Sequence, residues 1–395
     1  MIKKNVLIRG PLLTQSGYGV HSRQVFKWLI SREDYNVKCI VTPWGVCSWK
    51  LDRSDPIVEE IMSRTVGDIK DESFDISFQI QLPNEWNPVL ANKNIGITAG
   101  VETNTCNPEW IEHCRRMDAV IVPSEFTKSV FVNTGLEENL IHVIHESYPE
   151  RFDLEDLEDS KTNKVKDLLD NLETKNNFLI LGQLTGNNSE NDRKNTFNTI
   201  KAFIDAYKDD KDVGLIIKTN SGRNTRIDKK KTFNMIQGVL KEIGKPEFPK
   251  IHVLHGSLSE DELITLYTHD KVKYLLSASK GEGFGLPILE SARLGLPVIA
   301  TNWSGHLDFM KLGNFTRLDY TLKEIHESRV DNRIFMKDTK WANIKHGHLR
   351  LTLKKSFDNY SKVKKNAKDL SLRIKENFNF NKILSDYNIL IDKID

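Results

Sequence analysis

Short β-branched runs alternate with longer amphipathic segments along this chain, and they do so in two series. The first series has runs at residues 6–9, 37–41, 76–80, 94–97, 119–122 and 142–144; the second has them at 178–181, 213–218, 251–254, 274–277 and 298–300. Between the early runs, residues 19–30, 108–117 and 124–133 place apolar side chains at helical spacing, the last opening on Ser124, a residue suited to an N-cap. Parallel strands need crossover helices, so this rhythm predicts parallel sheets covered on both faces. A chain of 395 residues exceeds what one core usually organises. The strand-poor stretch 150–177, crowded with Glu155, Glu158, Asp159, Lys161, Lys164 and Lys166, separates the two series. The expectation is an α/β chain of two Rossmann-like, doubly wound parallel-sheet domains facing across a cleft, with boundaries at 1–165 and 166–375 and a terminal segment 376–395. Ligands of such sheets bind beyond the carboxyl ends of the strands, and the chemistry is sought there.

Composition narrows the function classes. Lys plus Arg total 57 against 55 Asp plus Glu, a net charge of +2 that by itself calls for no nucleic-acid or membrane partner. The longest apolar runs fall far short of the roughly 18–20 residues a membrane helix needs, and the apolar run of the first residues is cut short by Arg9, unlike a secretory signal. A cytoplasmic protein is expected. Cys39, Cys47, Cys106 and Cys114 form no CxxC pair and read as intracellular thiols. His346 and His348 alone are too small a set for a metal site.

The segment Ser279-Lys-Gly-Glu-Gly-Phe-Gly-Leu-Pro-Ile-Leu-Glu290 follows a predicted strand and opens a predicted helix. Gly281, Gly283 and Gly285 permit close backbone approach, and Pro287 suits the first helical position, where its missing N–H would be unpaired anyway. The free amides around Phe284, Gly285 and Leu286 then point at whatever lies beyond the helix, an end that suits a diphosphate. Glu290, one turn in, is an acceptor-only carboxylate able to take two ribose hydroxyls. Glu282 sits on the loop, nearer a transferred group. Arg193-Lys194-Asn195, at the start of the helix after the first strand of the second series, is the candidate for the cationic compensation that a diphosphate needs.

These residues resemble the retaining, nucleotide-sugar-dependent glycosyltransferases of the GT-B fold, family 4 or group 1, through their Glu-x7-Glu signature, here Glu282 and Glu290, and the following Gly295-Leu-Pro-Val-Ile-Ala300. The resemblance covers most of residues 178–309. It implies that Glu290 binds the donor ribose, that Glu282 approaches the donor sugar, and that Gly283, Phe284, Gly285 and Leu286 hold the diphosphate. Arg193 and Lys194 match the site that grips the phosphates, and the stretch to Leu258 matches the one whose backbone meets the base. Where the family often has Arg after the strand's Gly, Gly182 is followed by Gln183, which leaves the missing charge to Arg193 or Lys218. Retaining relatives are described as using a front-face substitution in which the leaving diphosphate helps deprotonate the acceptor. The resemblance further implies a nucleotide diphosphate sugar as co-substrate, no tightly bound cofactor, no required metal, and a final helix that returns to the first domain.

In the first half, Gly17, Tyr18 and Gly19 resemble the family's glycine loop over the donor phosphates, with His21 one turn on. Glu102 and Asn104 stand where many relatives carry a His; Ser304 and His306 follow the last core strand. These five are acceptor-side candidates, and Pro123-Ser124-Glu-Phe126 reads as fold-forming. The acceptor itself stays open between a glycan or lipid and DNA. Two basic clusters, Arg223, Arg226, Lys229, Lys230 and Lys231, and Lys354, Lys355, Lys362, Lys364, Lys365 and Lys368, suit a solvated face, an anionic lipid surface or a phosphate backbone. The run 298–308 with residues 16–19 also resembles glycosyltransferases of tailed phages. That resemblance implies the host cytoplasm and a hydroxymethylated base in DNA as acceptor, reached outside the stack. A nucleotide-sugar binding module without turnover is the third reading.

Overall fold

A computed structural model of the chain describes residues 3–70, 72–154, 163–220, 222–244 and 247–394. Part of the predicted charged connector, residues 155–162, lies outside the described residues. The chain divides into two units. One comprises Met1–Ser147, Asp331–Thr339 and Phe380–Asp395; the other comprises Tyr148–Val330 and Lys340–Asn379.

The first unit runs β1 (Lys4–Gly10), α1 (Gly17–Ser31), β2 (Tyr35–Val41), α2 (Pro56–Ser63), β3 (Ile76–Ile80), β4 (Lys93–Ile97), α3 (Pro108–Cys114), β5 (Ala119–Val122), α4 (Glu125–Thr134) and β6 (Ile141–Val143). Its strands form one parallel sheet in the order β2-β1-β3-β4-β5-β6. Local chemistry fixes the helix starts. Ser16, Asp55, Asn107 and Ser124 accept backbone N–H groups at the four N-caps, and Pro56 and Pro108 take first positions, where no N–H is needed. Gly135, at φ +116°, ends α4 in the left-handed conformation that glycine adopts without a Cβ penalty.

The second unit runs α5 (Lys164–Asp170), β7 (Asn176–Leu181), α6 (Thr196–Tyr207), β8 (Val213–Thr219), α7 (Arg226–Ile243), β9 (Lys250–His255), α8 (Glu260–Thr268), β10 (Val272–Ser277), α9 (Leu286–Arg293), β11 (Val298–Thr301), α10 (Leu307–Met310), β12 (Thr316–Leu318), β13 (Thr321–Glu324), β14 (Lys340–Asn343), α11 (His346–Lys355) and α12 (Tyr360–Asn377). Its parallel sheet has the order β12-β11-β10-β7-β8-β9, and β13 pairs antiparallel with β14. Successive side chains of a strand face opposite ways. Accordingly Leu179, Leu275 and Val298 enter one apolar cluster while Phe178, Tyr274 and Ile299 enter another. Helices therefore cover both faces, as the near-continuous apolar runs predict.

The last helix, α13 (Phe380–Ile394), belongs to the first unit. Trp28 of α1 stacks on Tyr387 with centroids 4.6 Å apart and donates its indole N–H to Asn388 at 2.9 Å. Both units are thus Rossmann-like, and the α/β class expected from the strand rhythm is the one built. The short strands β12 to β14 lack a comparable sequence rhythm and were not expected.

Candidate functional site

The second sheet has a topological switch point. From β7 the chain winds outward through β8 and β9; it then returns to the other side of β7 with β10 and winds outward through β11 and β12. In open α/β sheets ligands bind beyond the strand ends at such a point. The loops that leave β7 and β10 carry the residues singled out by sequence.

After β7, Asp192 organises the turn into α6. One carboxylate oxygen accepts from the Thr185 hydroxyl at 2.7 Å and the Lys194 N–H at 3.1 Å, and the other accepts from the Thr196 N–H at 2.6 Å. Asp192 is wholly buried, and Asn195, at φ +57°, completes the turn in a conformation costly for a side-chain-bearing residue. The turn brings the Lys194 ammonium onto both Glu282 oxygens, at 2.6 and 2.8 Å. The Arg193 guanidinium donates to Gly281 O at 2.6 Å and lies 3.4 Å from Glu282. Two residues expected to serve phosphate and one expected to serve sugar therefore form a single cluster. Burial pushes the Glu282 carboxyl upward, but Lys194 and Arg193 outweigh it and hold the group at about 2.

The loop after β10 is fixed from three directions. Ser304 accepts the Glu282 N–H at 2.9 Å, and Gly305 donates to Glu282 O at 2.9 Å. Ser304 does so at φ +90°, a backbone conformation that favours glycine. Lys280, buried, donates to Ser189 O and Glu190 O at 2.9 Å each and lies over the Trp341 ring at 4.7 Å; burial lowers it to about 8. Gly285, at φ +99°, is the N-cap of α9, and a Cβ there would stand 3.1 Å from His306 Cβ. No side chain caps α9; Pro287 has no N–H and the Ile288 and Leu289 N–H groups donate to Gly285 O at 2.9 and 3.1 Å, so the first-turn amide this end can offer an anion is that of Leu286.

Glu290 stands in a different setting. Its Oε2 accepts from the Tyr267 hydroxyl at 3.1 Å, and burial pushes its carboxyl up to about 7. Two other candidates are engaged in the fold. Lys218, lowered to about 8 by burial, donates to Asn220 Oδ1 at 2.7 Å and to Gly256 O, and Leu258 packs beside the core. His306 is buried; its Nε2–H donates to Thr301 O at 2.7 Å, and burial lowers its pKa.

In the first unit, Ser16 caps α1 through the Gly19 N–H at 3.0 Å. A Cβ at Gly19 would meet Thr14 O at 2.1 Å, so only glycine fits, whereas Gly17 has open space. Tyr18 stacks on Trp44 with centroids 3.7 Å apart; its hydroxyl lies 2.9 Å from Thr98 Oγ1 and accepts the Ala99 N–H at 3.0 Å. The sheet end at β1 and β4 is thereby tied together. His21 is buried, its Nε2 3.4 Å from the Tyr387 hydroxyl, and burial lowers it to about 4. Glu102 and Asn104, half-buried, lie in the loop after β4.

Sequence reasoning missed Asp192, Lys280 and Tyr267. Asp192 and Lys280 each adjoin a residue already singled out, and a buried charge beside a motif is their only signal. Tyr267 has none, because its partner is 23 residues away on another helix. His346 lies 2.9 Å from Asp205 and His348 4.0 Å from Asp319; among the described residues no three His, Cys, Asp or Glu side chains are grouped to hold a metal ion. The exposed basic residues Arg226, Lys229, Lys230 and Lys231 share α7. No described helix is long and apolar enough to cross a membrane.

A doubly wound sheet with a buried cation–carboxylate cluster at its switch point is the kind of place where open α/β sheets bind ligands. Residues 191–369 match the family described as glycosyl transferases group 1. No curated protein is significantly similar in sequence. Solved structures show the GT-B fold across both units. A glycosyltransferase from Rickettsia africae ESF-5 is 15% identical with a TM-score of 0.67, covering 99% of this chain and 98% of that one. Alr3699/HepE of Anabaena, solved in complex with UDP and glucose, is 13% identical with a TM-score of 0.62, covering 99% and 100%. Sucrose-phosphate synthase of Thermosynechococcus elongatus is 13% identical with a TM-score of 0.61, covering 99% of each.

Proposed function

We propose that the protein moves a hexosyl or pentosyl group from a nucleoside diphosphate sugar, UDP-sugar first among the candidates, to an acceptor hydroxyl with retention. The observation that carries this reading is the Arg193–Lys194–Glu282 cluster at the switch point, beside the start of α9. A lysine ammonium has three donor protons, so Lys194 can bond Glu282 and still meet a phosphate oxygen. As the sugar C1–O bond to the diphosphate breaks, charge grows on the leaving oxygens. Lys194, Arg193 and the Leu286 N–H are the groups that stabilise it in this reading. The acceptor oxygen bonds to C1, and its proton passes to the departing diphosphate. Glu282 orients the sugar, and Glu290 accepts the ribose hydroxyls. Solved relatives bound to UDP or UDP-glucose support the donor class.

We take Gly17 to Gly19 as the loop over the donor phosphates, Glu102 and Asn104 as the acceptor side, and a glycan or lipid as the acceptor. The test is a thermal-shift screen of UDP-, GDP- and ADP-sugars on the wild type, Glu290→Ala and Lys194→Ala, since a ligand that binds the native state raises its melting point. One sugar nucleotide should stabilise the wild type and lose that effect in both variants. Stabilisation by none would sink the donor site. Turnover is then read with glycan, lipid and hydroxymethylated duplex DNA acceptors in parallel; glucosylated DNA would replace the glycan or lipid assignment, and tight donor binding with no product would leave a binding module.

A further inference from the structure

Glu290 and Tyr267 form a pair that the nucleotide-site geometry does not require. Tyr267, on α8, is buried at 1% exposure in the cluster that also holds Ile264, Leu266, Leu289 and Ala292. Its hydroxyl is the only polar atom of the ring, and a buried hydroxyl without a partner is costly. It donates to Glu290 Oε2 at 3.1 Å, and no cation pairs with Glu290 among the described residues. This carboxylate thus lacks the ammonium and guanidinium that Glu282 has. What holds it in place is a phenol rooted in the core.

We infer that Tyr267 is a positioning residue for the ribose subsite: by donating to Oε2 it fixes the rotamer of Glu290 and favours the carboxylate form, which accepts two ribose hydroxyls. The inference rests on the reading of Glu290 as the ribose acceptor. A carboxylate offers about four lone-pair directions; Tyr267 takes one, which leaves others for the ribose hydroxyls. The groups around Glu290 set the direction of its response to pH. From α8, Glu260 opposes ionisation and Tyr267 supports it, while burial opposes it most. On α9 itself Arg293 is turned to Asp153, and on α12 Lys364 donates to Gly295 O, so neither compensates the carboxylate. Removing the phenol hydroxyl therefore moves Glu290 ionisation to higher pH, and nucleotide affinity follows it.

The experiment is calorimetric titration of UDP into the wild type, Tyr267→Phe and Glu290→Ala between pH 6 and pH 9, with GDP in place of UDP if the screen retains GDP. In the wild type, affinity weakens on acidification through the Glu290 range, approaching about tenfold per pH unit where only the ionised form binds. In Tyr267→Phe the weakening is about 5- to 10-fold at pH 7, the size of one lost hydrogen bond to a charged group, and it closes to within about twofold at pH 9. The 2′-deoxynucleotide, which offers Glu290 one hydroxyl fewer, shows a smaller Tyr267→Phe effect. An unchanged affinity–pH curve in Tyr267→Phe, or an equal loss at pH 7 and pH 9 accompanied by a lower melting point, overturns the inference while Glu290→Ala still weakens binding. Undiminished nucleotide affinity in Glu290→Ala instead overturns the ribose assignment itself, so the two failures are distinguishable.

Discussion

Glu282 and Glu290 belong to one motif, yet the fold gives them opposite electrostatics. Glu282 lies under an ammonium and beside a guanidinium, which together outweigh its burial and hold it at about 2. Glu290 faces a phenol and no cation, and burial carries it to about 7. The difference follows from which loops meet them. Glu282 precedes the helix and meets the turn after β7, which Asp192 builds; Glu290 lies inside α9 and meets the flank of α8. One carboxylate is therefore permanently charged at neutral pH, and the other is poised between forms. The lesson is that residue type and spacing alone do not assign the charge of a motif; the elements packed against it do.

The largest expected effect breaks the first half of this contrast. Lys194→Ala leaves Glu282 buried with only the more distant Arg193. Turnover should fall by roughly 100- to 1000-fold, the scale seen when one donor to developing charge is removed. Stability should drop by about 3 kcal/mol in urea unfolding, at the low end for breaking a buried pair. Adding Glu282→Gln to that variant should restore much of the stability and none of the turnover, because it removes the uncompensated charge without supplying a phosphate donor. Equal stability of the single and double variants would show that the pair is not coupled.

A middle-sized effect separates the two carboxylates by pH. Glu282 has its pKa depressed on folding from an ordinary 4.5 to about 2, so its contribution is complete above about 4.5 and is lost as pH falls towards 2. Glu290 has its pKa raised to about 7, so the native state binds the extra proton between about 4.5 and 7, and stability declines as pH rises through that window. Glu290→Gln should therefore stabilise the protein at pH 8, by something on the order of 1–2 kcal/mol, and do nothing at pH 4. Glu282→Gln should destabilise it at pH 8 and lose that effect near pH 2. Denaturant unfolding at these pH values reads both; the same sign for both variants at pH 8 would erase the contrast.

How far these differences were legible in the sequence depends on the range of the interactions. The strand rhythm is local, and it predicted both sheets. The glycines at 281, 283 and 285 and Pro287 at the start of α9 are local too, and the start of that helix is read from them. Asp192 is read only once the turn from Thr185 to Thr196 is closed in space. Lys280 depends on a contact with Trp341 and with carbonyls 90 and 91 residues earlier. Tyr267 is read only once α8 and α9 pack together, because its partner is 23 residues away. The strands β12 to β14 are short, with β13 fully exposed, and therefore carry little apolar pattern. The placement of residues 331–339 in the first unit, while both flanks belong to the second, follows from tertiary contacts that no periodicity encodes.

The smallest expected effect tests how the Glu282 side of the contrast is held. Ser304 sits at φ +90°, where a side chain costs on the order of 1 kcal/mol, and in return its hydroxyl accepts the Glu282 N–H at 2.9 Å. Ser304→Gly removes both strain and bond, so its melting point should stay within about two degrees of wild type, since the terms are of similar size and opposite sign. Ser304→Ala keeps the strain and loses the bond, and should destabilise by about 1–2 kcal/mol because a buried N–H is left unpaired. If the bond aims Glu282 at the sugar, both variants lose turnover by a similar few-fold factor despite their different stabilities. If Ser304 serves only the fold, turnover should follow stability, and Ser304→Gly should match wild type in both. The two substitutions thus separate positioning from strain at one residue, with Glu290 and its pH response as the internal control that neither should disturb.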